Sequence, residues 1–129
     1  MSAPAAAKIL VVDDTPMNVK LLVDILSARG YAVRAATNGE EALARVAEEA
    51  PDLILMDIHL PGISGVDALK LLRADTATAR IPIAAVTASV MQQDRAIIMD
   101  AGFDAYVSKP ISLKEFLDTV RALLERGPR

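Results

Sequence analysis

The chain contains no cysteine, which excludes disulfides and thiolate metal sites. It has no tryptophan, and only 3% of its residues are aromatic. A core drawn from its 53% hydrophobic content must therefore be aliphatic. No apolar stretch approaches the ~18 residues of a membrane span. The opening MSAPAAA lacks the basic region and long apolar core of a secretory signal. Residues 1–7 are expected to form a disordered tail. Neither charge sign dominates: 14 basic and 17 acidic residues are interspersed and leave a net charge of −3. That balance argues against generic nucleic-acid binding. Repeats, low-complexity stretches and linkers are missing too. A length of 129 residues fits one domain. These absences together predict a soluble, cytoplasmic protein.

What is present is a set of apolar runs that end on chemically loaded residues. Ile9-Leu10-Val11-Val12 ends in Asp13-Asp14, and Leu53-Ile54-Leu55-Met56 ends in Asp57. Pro82-Ile83-Ala84-Ala85-Val86 ends in Thr87, and Asp104-Ala105-Tyr106-Val107-Ser108 ends in Lys109-Pro110. Near-continuous Val/Ile/Leu runs are typical of parallel strands buried on both faces, and they account for a mean hydropathy of +0.33. If the runs lie in one parallel sheet, their charged ends meet outside the carboxyl ends of the strands, where open α/β sheets bind ligands.

The remaining pattern alternates strand and helix. Strands are predicted over 8–13, 32–36, 52–57, 82–87 and 104–108, and helices over 16–29, 39–49, 65–73, 89–100 and 113–125. Thr15 with Pro16 starts the first helix and Gly30 stops it. Leu21, Leu22, Ile25 and Leu26 form its apolar face. Asn38 and Glu41 stand at capping-box spacing, as do Ser112 and Glu115. Ala42, Leu43, Val46 and Ala47 make the buried stripe of the second helix. Such alternation implies a parallel sheet with right-handed crossovers.

At a strand end the chain is turning, so Asp13 and Asp14 can face the same mouth as Asp57. Three carboxylates in one place repel unless a cation neutralises them. Hard oxygen donors suit Mg²⁺, which takes one or two carboxylates plus phosphate oxygens. A carboxylate can also attack phosphorus and form an aspartyl phosphate. Such a transfer is catalysed mainly by positioning and charge neutralisation. The Lys109 ammonium and the Thr87 hydroxyl could contribute to both. Alone, the Asp-Asp pair would read as a helix cap, Thr87 as a strand residue and Lys109 as a surface lysine; their common address gives them weight.

These segments resemble the receiver domain of two-component response regulators. The matching stretches are Val11-Val-Asp-Asp14, Leu55-Met-Asp-Ile-His-Leu-Pro-Gly-Ile-Ser-Gly65, Ala85-Val-Thr-Ala88 and Ala101-Gly-Phe-Asp-Ala-Tyr-Val-Ser-Lys-Pro-Ile111. The resemblance covers about residues 8–125 and is to stand-alone, CheY-like receivers, with Asp52–Asp57 and Ala105–Ser112 similar to the DivK-like type. It implies a doubly wound five-stranded parallel sheet of order 2-1-3-4-5, a flavodoxin/CheY-like (βα)5 fold over 8–126 with no output domain. It further implies that Asp57 accepts a phosphoryl group from a sensor histidine kinase or phosphotransfer protein. Asp14, Asp57 and the backbone carbonyl of His59 would hold Mg²⁺, with Asp13 acting through a bound water. Thr87 and Lys109 would contact the phosphoryl group, and the Lys109–Pro110 bond would be cis. Thr87 and Tyr106 would form the switch, and an effector protein would dock on helix 4–strand 5–helix 5, near Val90, Met91, Arg95, Lys114 and Leu117. The His59 imidazole would project outward and, with Ser89, tune the lifetime of the aspartyl phosphate. A chain of this kind would bind no nucleic acid and no membrane, and would be a monomer or weak dimer.

Other functions fit less well. Haloacid dehalogenase-like phosphatases place an Asp-x-Asp nucleophile after strand 1, where this chain has Asp-Asp. A flavodoxin-like cofactor binder needs a Gly/Ser/Thr-rich phosphate loop after strand 1, which this chain lacks. An interaction module indifferent to phosphorylation would have no use for the intact acidic set.

Overall fold

The computed structural model describes residues 7–58, 60, 62–87, 92–109 and 111–128. Its elements are β1 (Lys8–Val12), α1 (Pro16–Ala28), β2 (Ala32–Ala36), α2 (Gly39–Glu48), β3 (Leu53–Asp57), α3 (Gly65–Ala74), β4 (Ile83–Thr87), α4 (Gln92–Ala101), β5 (Ala105–Ser108) and α5 (Leu113–Arg126). All strand pairs are parallel, and the sheet order is β2-β1-β3-β4-β5, as the resemblance implies.

The alternation of side chains along each strand divides the core in two. Leu10, Val12, Ile54, Met56, Ile83 and Ala85 pack under α2, α3 and α4 against Val46, Leu69 and Ile98. Ile9, Val11, Leu53, Leu55, Ala84 and Val86 face α1 and α5, against Leu22, Leu26, Phe116 and Val120. Both sheet faces are covered, which is why the strands carry no polar alternation.

Local details differ from the sequence expectation in several places. Leu21 is 52% exposed, because the face of α1 that meets the sheet is narrow and centred on Leu22 and Leu26. Ala47 is likewise exposed, so the α2 stripe consists of Gly39, Ala42 and Val46, with Leu43 half-buried. The Asn38 side chain does accept the Glu41 N–H, at 2.7 Å. Thr15 and Ser112 precede their helices in extended conformation but make no side-chain cap bond. The cap the sequence reading passed over is Ser64, whose Oγ accepts the Asp67 N–H at 3.1 Å. Gly30 ends α1 in the left-handed region (φ +89°), which only glycine adopts cheaply.

Candidate functional site

Each functional side chain stands where a strand stops. β1 pairing continues one residue past the strand, since the Asp13 N–H donates to the Ala36 carbonyl at 3.1 Å. β5 pairing likewise continues to Lys109, whose N–H donates to the Thr87 carbonyl at 2.9 Å. These bonds fix Asp13 beside the end of β2 and Lys109 beside the end of β4. Asp13, Asp57 and Lys109 share the strand parity of Ile9, Leu53 and Val107, and so occupy the same side of the sheet edge.

Lys109 Nζ bridges the two buried acids, donating to Asp13 Oδ2 at 2.9 Å and to Asp57 Oδ2 at 3.3 Å. The second Asp13 oxygen, Oδ1, accepts the Thr15 N–H at 2.9 Å, which fixes the turn into α1. Burial alone would push the Lys109 ammonium down. Its hydrogen bonds and charge interactions with Asp13 and Asp57 outweigh that, and its pKa lies above the ordinary 10.5. The three carboxylates Asp13, Asp14 and Asp57 offer oxygens that all lie within 4.8 Å of one another. Asp13 and Asp57 are buried while Asp14 is exposed at the mouth. An all-carboxylate set with an open, water-facing side fits Mg²⁺, which retains several waters when bound. Among the described residues three acids stand close to the Lys109 ammonium, an arrangement that a bound cation would neutralise further.

Thr87 is fully buried, on the opposite parity from Asp57 and in line with Ile83 and Ala85. Tyr106 pairs in register with Ala85, one pleat back from Thr87, and packs half-buried against the core under α4. The two proposed switch residues thus share the α4 side of the sheet, while the acids and Lys109 share the α1–α5 side. His59, Ser89, Val90, Met91, the Arg95 side chain, Pro110 and residues 1–6 lie outside the described residues, and with them the His59 carbonyl ligand and the Lys109–Pro110 geometry. Lys114 and Leu117, expected on the α4–β5–α5 face, instead line a groove with Arg29 and Tyr31 on the α1 side of α5. The helix rotation that buries Phe116 and Val120 in the sheet turns them there.

Two features of the frame escaped the sequence reading. Gly65 donates its N–H to the Ile58 carbonyl at 3.0 Å, and a Cβ there would collide with the Asp57 carbonyl, so α3 starts hard against the end of β3. At the other sheet edge, Arg73 clasps three segments. Its Nη1 donates to the carbonyls of Ala79 (3.0 Å) and Ile81 (2.6 Å), and its Nη2 to the Gly102 carbonyl (3.2 Å) and Asp104 Oδ2 (2.9 Å). Asp104 also accepts the Ile83 N–H at 2.8 Å and, through Oδ1, Arg126 at 2.9 Å. The only sequence signal was an acid directly before a buried strand.

The chain resembles known proteins along most of its length. The response regulator receiver domain model matches residues 9–121. The polar-differentiation response regulator DivK of Brucella anthropi is 43% identical over 116 residues, covering 90% of this chain and 94% of that protein. The receiver domain of the sensor histidine kinase PA1611 from Pseudomonas aeruginosa PAO1, crystallised with magnesium in its active-site cleft, superposes with a TM-score of 0.86 at 32% identity, over 94% of this chain and 99% of that one. The chemotaxis protein CheY4 of Vibrio cholerae gives 0.86 at 27% identity, over 92% and 99%. Sheet order, the acidic mouth and the bridging lysine all agree with that match: the chain belongs to the response regulator receiver domain family, whose members act as switches in two-component signalling.

Proposed function

We propose that Asp57 is the phospho-acceptor of this chain, and that residues 8–126 work as a phosphorylation-controlled switch of partner affinity. The observation that carries this is the Lys109 bridge: one ammonium neutralises Asp57 and Asp13 at once, beside a third carboxylate. An Asp57 carboxylate oxygen attacks the phosphorus of a phosphohistidine on a sensor kinase or phosphotransfer protein. The P–O bond to Asp57 forms as the P–N bond breaks, and the electron pair of that bond stays on the departing imidazole. Lys109 faces the oxygens on which charge accumulates, at no cost in reorganisation. Asp13, Asp14 and Asp57 would hold Mg²⁺ together with the His59 carbonyl. When bound, Mg²⁺ supplies further neutralisation of the phosphoryl oxygens.

The Thr87 hydroxyl then bonds a phosphoryl oxygen, and Tyr106 follows it inward. That biases a two-state element on the α4 side, where an effector protein reads it. The protein catalyses only its own phosphorylation and dephosphorylation, and works in the cytoplasm as a monomer or weak dimer. No helix among the described residues is long and apolar enough to cross a membrane. Intact-mass analysis after incubation with acetyl phosphate tests the assignment. The expected result is a Mg²⁺-dependent gain of one phosphate in wild type and none in Asp57→Asn; an equal gain in the variant overturns it.

A further inference from the structure

The groove between α5 and the C-terminal end of α1 combines exposed leucine with cations that form no ion pair among the described residues. It is a cavity of about 380 Å³, lined by Leu113 and Leu117 together with Arg29, Tyr31, Lys114, Asp118 and Arg121. Leu113 is 51% exposed, on a helix whose other large apolar residues turn inward. Arg121 is paired with Asp118 at 3.0 Å. Among the described residues, Arg29 and Lys114 form no ion pair. Several cations elsewhere are matched: Lys8 with Glu49, Lys20 with Asp24, Arg34 and Arg45 with Glu48. With Arg29, Lys114 and Arg121 against Asp118 alone, the groove lining is locally positive on a chain whose net charge is −3. Arg29 and Tyr31 precede β2, whose first residue pairs with the start of β1, so the groove reaches the sheet edge opposite Asp57.

We infer that this groove docks an acidic amphipathic segment of a partner protein, with apolar side chains between Leu113 and Leu117 and carboxylates against Arg29 and Lys114. Leu113 and Leu117 stand one helical turn apart, a spacing that receives apolar anchors at i and i+4 of a partner helix. Most of the lining residues are solvent-exposed, so the groove could not enclose a small molecule as a ligand cavity does. Nucleic acid and anionic membrane demand a wider basic field than two unpaired cations on an acidic chain. A second copy of the chain as occupant would make the groove resonances move with protein concentration alone. The reading does not depend on Asp57 being phosphorylated.

The test is an amide NMR titration of the full chain with a synthetic helical peptide carrying Leu at i, i+4 and i+7 and Glu on both flanks. A peptide with Lys in place of Glu is the control. Shifts should concentrate at Arg29, Tyr31, Lys114 and Leu117 and saturate below about 1 mM, the weak end of specific association. The Arg29→Glu/Lys114→Glu double variant should weaken binding at least about fivefold, in keeping with the modest worth of exposed ion pairs, while phosphate uptake from acetyl phosphate stays unchanged. Shifts on another surface, equal response to the Lys peptide, no saturation, or undiminished binding by the double variant would each overturn the inference. So would resonances of these residues that move with protein concentration alone, which would mark a self-association surface.

Discussion

Replacing Asp14 with Asn should make the metal-free protein more stable and the Mg²⁺-loaded protein less so. Asp14 is the exposed member of a cluster whose carboxylate oxygens lie within 4.8 Å of one another. At that distance two unit charges repel by about 0.9 kcal/mol at the dielectric of water. Asp14 faces two other carboxylates and one ammonium, Lys109, which already bridges the other two acids. Removing its charge relieves two repulsions against one attraction, a net gain of about 0.9 kcal/mol at the dielectric of water before salt screening. In a domain of this size that raises Tm by about 4 °C. With Mg²⁺ at tenfold its dissociation constant, wild type gains about 1.4 kcal/mol by mass action. The variant, short of one ligand, gains far less, so the order of stabilities should invert between EDTA and Mg²⁺. Urea unfolding in the two buffers reads both quantities. The metal-free difference should also shrink in 1 M salt, where the screening length falls to about 3 Å. A variant less stable than wild type in EDTA, or a difference indifferent to salt, would refute the reasoning.

Lys109 should give stability that is present below pH 10.5 and lost as pH rises through its higher folded-state pKa, because its partners favour the charged form in the native state. The slope of stability against pH in that alkaline range should be steeper in wild type than in Lys109→Met, and equal slopes would contradict it. Gly65→Ala should cost about 2 kcal/mol through overpacking against the Asp57 carbonyl, and should slow phosphate uptake from acetyl phosphate by displacing the end of β3. Arg73→Ala should cost about 3 kcal/mol because it strands the buried Asp104, whereas Arg126→Ala, at a half-exposed arginine, should cost under about 1 kcal/mol. Comparable losses in the two unfolding curves would show that the Asp104 charge is not held mainly by Arg73.

The element sequence could be read in advance because the central strands are buried on both faces and print unbroken aliphatic runs, as in Leu53–Met56, whereas the part-exposed edge strand β2 (Ala-Val-Arg-Ala-Ala) prints a weaker one and the sheet order came from the family resemblance. Strand ends were equally plain, since Asp13, Asp57, Thr87 and Lys109 each interrupt such a run. Helix faces were harder. Leu21 and Ala47 obey the helical period yet stand in solvent, because a helix on a sheet buries a narrower stripe than its apolar residues could cover. Caps were decided by loop geometry: Ser112 has the better spacing motif, yet Ser64 makes the bond. The Arg73–Asp104–Arg126 clasp joins positions far apart in the chain and carries no periodic signature.

That clasp also bears on the order in which contacts form during synthesis. Arg73 and Asp104 belong to segments that leave the ribosome before the last turn of α5, and Arg126 closes the arrangement from the final helix. A chain synthesised only as far as β5 has its acidic mouth and all five strands but lacks Arg126, which grips Asp104 through Oδ1. The base of the sheet therefore gains this contact only once the last turn of α5 has formed, later than the acidic cluster at the opposite edge.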